Sequence, residues 1–521
     1  MSQVIPLLAP DPELHRRVRH YRGYAVPDFE QTVALLAASE PTATTYRLLV
    51  SYDTFHRLGE LAGMVARSLG LEPPDGGRNP EVFPLAGLAK RYRRVREQTL
   101  GWAAEHCLEL EVEEQTGLLD LLDRIAALAG HEDEEQLARY LGVLCHHVFI
   151  GPEIVHLDLS NTCNSNCQFC GYHSDLIGDW DWKTPGWDRE QLPIIKAREV
   201  IGDLRDLRCN RHVAVCGEGD PATHPQVMEI LSLLKQAGLG TALYTNGIGF
   251  RAADFRRMVD LGVDLLYVNL SAGTPVGYTS LQPRQTAEVF HRLVADLKAM
   301  VEYQRACGKR TPELTLKHVL TSLNYRELPD MVALSRHVGA GSLYPELMHF
   351  SGANTRHLYL EPAKIDELRG LWEQAKRDCA AHGIPLMDQL DLQLAGFSTR
   401  QAEEQHLWTY DLYRRRGCYA GWFFTRVYTD QSLGFCCRHR KLDSLQHQSL
   451  REALFSDTYQ TMRIQAKRFA VEDNHRCSNG TLLLSPDCNQ CGNFYTNETY
   501  YRELVRLGLS EYLDRPAGEG A

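Results

Sequence analysis

Six short apolar runs, Ile154–Leu159, Val213–Val215, Thr241–Tyr244, Leu265–Leu270, Leu314–Leu320 and Leu343–Met348, alternate with segments of helical spacing. Among the helical segments are Val227–Ala237, Ala287–Arg305 and Leu328–Val338. Parallel strands need crossover connections, so this order predicts a parallel sheet with helices packed on it. In such folds ligand sites gather beyond the carboxyl ends of the strands. The residues that follow each run therefore carry more information than the runs themselves.

Beyond the first run lies Asn161-Thr162-Cys163-Asn164-Ser165-Asn166-Cys167-Gln168-Phe169-Cys170-Gly171-Tyr172. This C-x3-C-x2-C spacing supplies three thiolates, one fewer than would close off a [4Fe–4S] cube. One iron would stay open to a small ligand, which suggests chemistry at that iron more than electron storage. The competing readings are a structural zinc site and bare thiols. The next candidate ligand, His173, fits none of the usual zinc spacings. Disulfides are disfavoured, because the chain shows no secretory leader and cytosolic thiols stay reduced. Fifteen cysteines in a chain expected to be cytoplasmic point to metal.

Three further strand ends are polar. Val213–Val215 runs into Cys216-Gly217-Glu218-Gly219-Asp220-Pro221-Ala222-Thr223-His224-Pro225. Glycines at a strand end let the backbone approach a ligand closely. The third strand ends in Thr245-Asn246-Gly247, and the fourth carries Asn269 and Ser271 near its end. Read singly, each could equally be a cap or turn residue.

Taken together, these motifs resemble the radical S-adenosylmethionine (radical SAM) superfamily, including the aromatic Phe169 before the third cysteine. The resemblance implies an α/β fold, a partial (β/α)6 TIM-like barrel, with Cys163, Cys167 and Cys170 holding a [4Fe–4S] cluster. The open iron would chelate S-adenosylmethionine, which is cleaved to methionine and a 5′-deoxyadenosyl radical. Phe169 would pack near adenine, and Gly217, Glu218, Gly219 and Asp220 would line the methionine end, with Asn269 and Ser271 nearby. Family members usually have Glu where this chain has Asp220, which keeps the carboxylate on a shorter arm. Lys317, His318, Glu346 and His349, on or after the fifth and sixth strands, are candidates to face the cavity. The residues single out no base among them.

The last 126 residues hold a second constellation: Cys418, then Trp422–Asp430, Gly434-Phe435-Cys436-Cys437, Cys477, and Cys488-Asn489-Gln490-Cys491. A zinc ribbon usually has two C-x2-C pairs, and only one is present. With Ser449-Leu450-Arg451-Glu452-Ala453-Leu454-Phe455, the segment resembles the SPASM/twitch extension of radical SAM enzymes. That resemblance implies a second [4Fe–4S] cluster on Cys418, Cys436, Cys488 and Cys491, with Cys437 as the alternative to Cys436 and Cys477 as ligand or spare.

Residues 1–150 lie outside the resemblance. Leu58, Leu61, Met64, Val65 and Leu69 form one helical stripe and Leu118, Leu121, Leu122, Ile125 and Leu128 another. They predict a helical domain of unassigned role, ahead of a barrel over 151–395 and a small cluster domain over 396–521. A net charge of −11 gives no basic footprint for duplex nucleic acid. Lys90-Arg91-Tyr92-Arg93-Arg94 reads as a solvated helix face. No apolar run approaches the roughly 18 residues of a membrane span.

The expected function is a radical SAM oxidoreductase acting on a small molecule. Its second cluster would accept or relay an electron, and flavodoxin or ferredoxin would supply reductant. The alternative is a peptide maturase that crosslinks or epimerises a ribosomal peptide. Such enzymes often carry a leader-binding module of mixed strand and helix, of which a helical N-terminus would be no sign.

Overall fold

The computed structural model describes residues 148–513, apart from 178–182, 210, 350–352, 411, 439–440, 468–476 and 478–481. Before them it describes 3–5, 19–21, 24–26, 46–51, 85–105, 108–113 and 118–145. The chain divides into two compact units, Met1–Ile150 with Tyr501–Ala521, and Gly151–Tyr500.

The first unit is not purely helical. Among its described residues, β1 (Gln3–Ile5), β4 (Tyr46–Ser51) and β5 (Leu108–Glu113) form a parallel sheet in the order β1-β4-β5. β2 (Arg19–Tyr21) and β3 (Tyr24–Val26) pair antiparallel. The helical expectation overlooked Leu108-Glu109-Leu110-Glu111-Val112-Glu113, a strict two-residue alternation that suits a strand with one buried face. The second stripe does form a helix, Leu118–Leu128, with Leu121, Leu122 and Ile125 buried. The first stripe, Leu58 to Leu69, lies outside the described residues. Lys90, Arg93 and Arg94 sit exposed on the helix Leu88–Glu105.

The second unit is built on nine strands in one sheet. β6 (Ile154–Asp158), β7 (His212–Cys216), β8 (Thr241–Thr245), β9 (Leu265–Asn269), β10 (Glu313–Leu320) and β11 (Ser342–Leu347) follow one another in space as in sequence, all parallel. These are the six strand runs read from the sequence, with ends shifted by a residue or so. On the far side of β6 the sheet continues with β12 (Phe424–Val427), parallel to β6, and then β13 (Ser432–Gly434) and β14 (Lys441–Ser444), antiparallel. The tail thus extends the barrel sheet directly. Its helix Leu450–Leu454 begins with a Ser449–Glu452 capping box and docks by its first amide on Asp203 of the helix Ile194–Asp206.

Pairing fixes which side chains share a face. His156 is level with Ala214 and Arg426, Asp158 with Cys216, Tyr244 with Tyr267, and Lys317 with both Asn269 and Tyr344. These residues line the concave side. The intervening Val155, Leu157, Val213, Val215, Leu243, Leu266 and Leu316 are fully buried beneath the helices. Truncating such a leucine to alanine costs about 2–5 kcal/mol, so the helix layer anchors every strand.

Candidate functional site

The cysteine loop leaves β6 and is held on three sides. Gly219 donates its amide to the Ser160 carbonyl (2.9 Å) and Asp220 to that of Thr162 (2.8 Å). A Cβ on Gly219 would overlap Thr162 O, and one on Gly217 would sit 2.5 Å from Ser160 O. The glycines are therefore demanded by backbone packing against the cysteine loop, a closer constraint than the ligand approach the sequence suggested. From the helix Pro275–Leu281 and the turn after it, Leu281 accepts from the Gln168 amide, and Gln282 accepts from Ser165 Oγ at 2.8 Å. From β8, Asn246 Nδ2 donates to Asn164 Oδ1 (2.7 Å) and lies 3.9 Å from Cys163 Sγ.

Within the loop the Tyr172 and His173 amides both reach Cys170 Sγ at 3.3 Å, and Ser165 Oγ lies 3.5 Å from Cys167 Sγ. Burial pushes all three thiols up, Cys167 to about 12, and Asp220 adds to the effect at Cys163. Bare, they would stay protonated; a metal cluster supplies the positive charge that makes thiolates stable there. Tyr278 adds an independent sign. It is fully buried, within electrostatic reach of Cys167, and its hydroxyl has no hydrogen-bond partner in the protein. An orphaned buried hydroxyl costs about 1–3 kcal/mol unless some group absent from the chain accepts it. The residues fit a cluster. Among the described residues no three acidic, histidine or cysteine groups close around a single-ion site; a cube instead spreads its thiolates over several irons.

The structure separates the other sequence candidates by their contacts. Asp220 is 4% exposed, and both its oxygens are engaged, by Ala222 N, Thr245 Oγ1 and Asn246 N at 2.6–3.0 Å. It ties two strand ends together. Ser271 is wholly buried, donates to Asn269 Oδ1 at 2.6 Å and accepts from Val319 N. Asn269 remains half-buried on the concave face. Phe169 packs on Val319 of β10, on Met348 directly after β11, and on Leu358 and Tyr359 further along the chain. Glu218, 4% exposed, accepts from Trp187 Nε1 at 3.0 Å.

Lys317 and His318 cannot both face the cavity, because neighbouring residues of a strand point to opposite sides. Lys317 does, reaching Glu346 Oε1 at 2.5 Å and lying 4.9 Å from the Tyr344 ring. Burial pushes Glu346 up, but Lys317 beside it wins and holds the carboxyl below its usual range. His318 lies under the helices, and burial takes it down to about 3. His349 follows β11 and contacts Gln490 O (2.9 Å) and Arg438 Nη2 (3.1 Å).

Apart from Cys477, the tail cysteines come from three places in the chain. Cys437 and Cys491 share a hydrogen bond, and Tyr413 lies against Cys491 within reach of Cys418 and Cys488. Thr409 holds the Cys488 carbonyl at 2.7 Å and the Cys491 amide at 3.3 Å. A Cβ on Gly492 would stand 3.5 Å from Cys437 Sγ. Cys436 faces the Tyr459 side instead, with its sulfur 3.9 Å from Arg438 O. The contacts thus join Cys437 to Cys491 and set Cys418 and Cys488 around the same Tyr413, on the side away from Cys436. Cys477 is buried, with residues outside the described set on both sides.

Sequence reasoning missed the charged pair on the concave wall. Arg426 of β12 grips Asp158 of β6 through Nε (3.0 and 3.2 Å) and Nη2 (2.6 Å), with both residues buried. A lone acid, Asp158, inside the apolar run Ile154–Leu159 was the available signal.

The family described as Radical SAM superfamily matches residues 157–311, from β6 to just before β10. That segment is a radical SAM domain. A radical SAM enzyme uses a [4Fe–4S] cluster and S-adenosylmethionine, and Cys163, Cys167 and Cys170 lie inside the matched segment. Among curated proteins, the chain is similar to a tungsten-containing aldehyde ferredoxin oxidoreductase cofactor-modifying protein of Pyrococcus furiosus. The identity is 24% over 195 residues, 36% of this chain and 49% of that one. It is also similar to a PqqA peptide cyclase of Ruegeria pomeroyi, 29% identical over 233 residues, 43% and 54% of the two chains. The chain spans about half the length of these relatives. A solved structure of Streptococcus suis SuiB with its precursor peptide SuiA aligns at a TM-score of 0.45 and 14% identity, covering 71% of this chain and 78% of that one. No helix among the described residues is long and apolar enough to cross a membrane.

Proposed function

We propose that this radical SAM enzyme modifies a peptide or a protein-borne substrate, drawing electrons from a flavodoxin- or ferredoxin-type reductant. The observation that carries this reading is the first unit, whose described residues combine a parallel sheet, an antiparallel pair and helices. A mixed strand-and-helix module in the same chain as a radical SAM barrel suits recognition of an extended chain, since sheet edges offer unpaired backbone groups. The likeness to PqqA peptide cyclases of two organisms supports the same choice.

Cys163, Cys167 and Cys170 would hold the cluster that binds S-adenosylmethionine, and Cys418, Cys437, Cys488 and Cys491 a second one. When bound, the first cluster supplies the electron that cleaves S-adenosylmethionine. The chain's own residues supply the rest. Phe169 walls one side of the site, and Glu218 and Asn269 offer polar atoms on the concave face. Asp220 and Ser271 hold their neighbours in place. The Lys317–Glu346 pair, 2.5 Å apart, can exchange a proton with a substrate group entering the cavity. A second reading, oxidation of a small-molecule alcohol, is favoured by the tail's single C-x2-C pair, which suits one further cluster.

The test uses perdeuterated extract of the producing organism. Reconstituted, reduced enzyme incubated with that extract should form deuterated 5′-deoxyadenosine, and prior protease treatment of the extract should abolish the label. Label that survives protease points to the small molecule. Failure to cleave S-adenosylmethionine with iron fully loaded would refute both readings.

A further inference from the structure

Three loops that come from distant parts of the chain meet at one buried guanidinium. Besides its grip on Asp158, Arg426 lies 3.6 Å by Nη2 from Glu218 Oε1, in the run that packs on the cysteine loop. Its Nη1 donates to the Cys437 carbonyl at 3.3 Å, and its Cζ stands 4.4 Å from the centre of the Tyr428 ring. Tyr172, two residues past Cys170, shares a side-chain hydrogen bond with it. Cys216 donates to Asp158 at 3.4 Å. Asp158, Glu218 and Arg426 are 0%, 4% and 5% exposed, so two carboxylates share one cation away from water.

We infer that Arg426 is a positioning residue through which occupation of the S-adenosylmethionine site is felt at the tail cysteine group. The inference rests on the reading that both cysteine groups hold clusters. Glu218 belongs to the strand end that closes over the cysteine loop, and Arg426 is its charged neighbour. A cationic ligand group arriving at Glu218 competes with Arg426 for that carboxylate. The guanidinium is a rigid fork already committed to Asp158, so its remaining donors answer the change, and one of them holds the Cys437 carbonyl. Buried hydrogen bonds of this kind are strong and polarise one another because no water screens them. Backbone shifts and altered charge beside a cluster ligand move the cluster's potential. Such coupling is reciprocal: reduction of the tail group changes affinity for S-adenosylmethionine by the same factor.

The fully loaded protein is titrated redox-wise with and without S-adenosylmethionine and followed by electron paramagnetic resonance. The tail wave is the one that survives when Cys163, Cys167 and Cys170 are replaced by alanine. Addition of S-adenosylmethionine is expected to shift the tail midpoint by an amount equivalent to a coupling factor of at least about fivefold. Asp158→Asn and Arg426→Lys are expected to erase that shift at unchanged iron content. Should either lose iron, Tyr172→Phe removes a single hydroxyl from the same guanidinium and is expected to shrink the shift. A tail midpoint that stays put while the first cluster's signal responds to S-adenosylmethionine overturns the inference and leaves the functional reading intact. A shift that persists unaltered in these variants overturns it equally. Absence of any response at the first cluster would fault the functional reading instead.

Discussion

The two cysteine groups of the barrel unit are built in opposite ways. Cys163, Cys167 and Cys170 lie within eight residues of one loop, and their surroundings are backbone amides, neutral side chains, the acids Asp220 and Glu218 and one cation, Lys183. Cys418, Cys437, Cys488 and Cys491 span 74 residues, arrive on separate segments, and sit beside Arg438 and His349. The first site is a local motif that the fold clamps; the second exists only once the tail has folded. One consequence is electrostatic, since the chain stabilises negative charge better at the second. Another is mechanical, since breaking one part of the tail should cost the whole second site without touching the first.

The sharpest way to break the comparison is to empty the local site. Replacing Cys163, Cys167 and Cys170 by alanine should abolish 5′-deoxyadenosine formation and lower iron from about eight to about four per chain, measured after anaerobic reconstitution. Loss of all iron would show that the two sites are not separate. The next effect distinguishes neighbours in the tail. Cys437→Ala should remove about four irons, whereas Cys436→Ala should keep about eight. The reverse result would return the ligand role to Cys436.

That pair of neighbours shows where sequence reading stops. Strand runs were legible to within a residue or so because apolar blocks between helical segments leave few alternatives, and the three-cysteine loop was legible because its ligands are contiguous. The choice between Cys436 and Cys437 was not, since both lie in the bend after β13 and the contacts that distinguish them, Cys491 and Gly492, lie more than 50 residues on. The glycines of Gly217-Glu218-Gly219 were recognised but for an incomplete reason: the atoms they must clear belong to Ser160 and Thr162. Arg426 carried no motif at all. Its role depends on β12 pairing with β6 across more than 250 residues of sequence, a register that no local pattern encodes.

Arg426 also gives the third prediction, because it belongs to both sites at once. Arg426→Ala leaves Asp158 buried without its partner, which typically costs about 3–5 kcal/mol. Chemical denaturation of the protein should report that loss. The double variant with Asp158→Ala should be less destabilised than the two single losses added together, since the uncompensated charge is gone. Strict additivity would mean that the pair is not coupled.

The smallest effect concerns the charge around each group. The first loop faces two acids, Asp220 and Glu218, against one cation, Lys183, while Arg438 stands by Cys437 and hydrogen-bonds the Gln490 carbonyl between Cys488 and Cys491. Reduction adds an electron, so nearby cations favour it and nearby anions oppose it. The tail wave should therefore lie at the less negative potential of the two. Arg438→Gln removes the cation but keeps a donor of similar reach, and should move the tail midpoint to more negative values. If the loss is worth about 1.4 kcal/mol, the shift is about 59 mV for one electron. The first wave, whose ligands have no contact with Arg438 among the described residues, should stay where it is. A tail wave already more negative than the first, or one indifferent to Arg438, would mean that ligand geometry or solvent access sets these potentials instead of local charge.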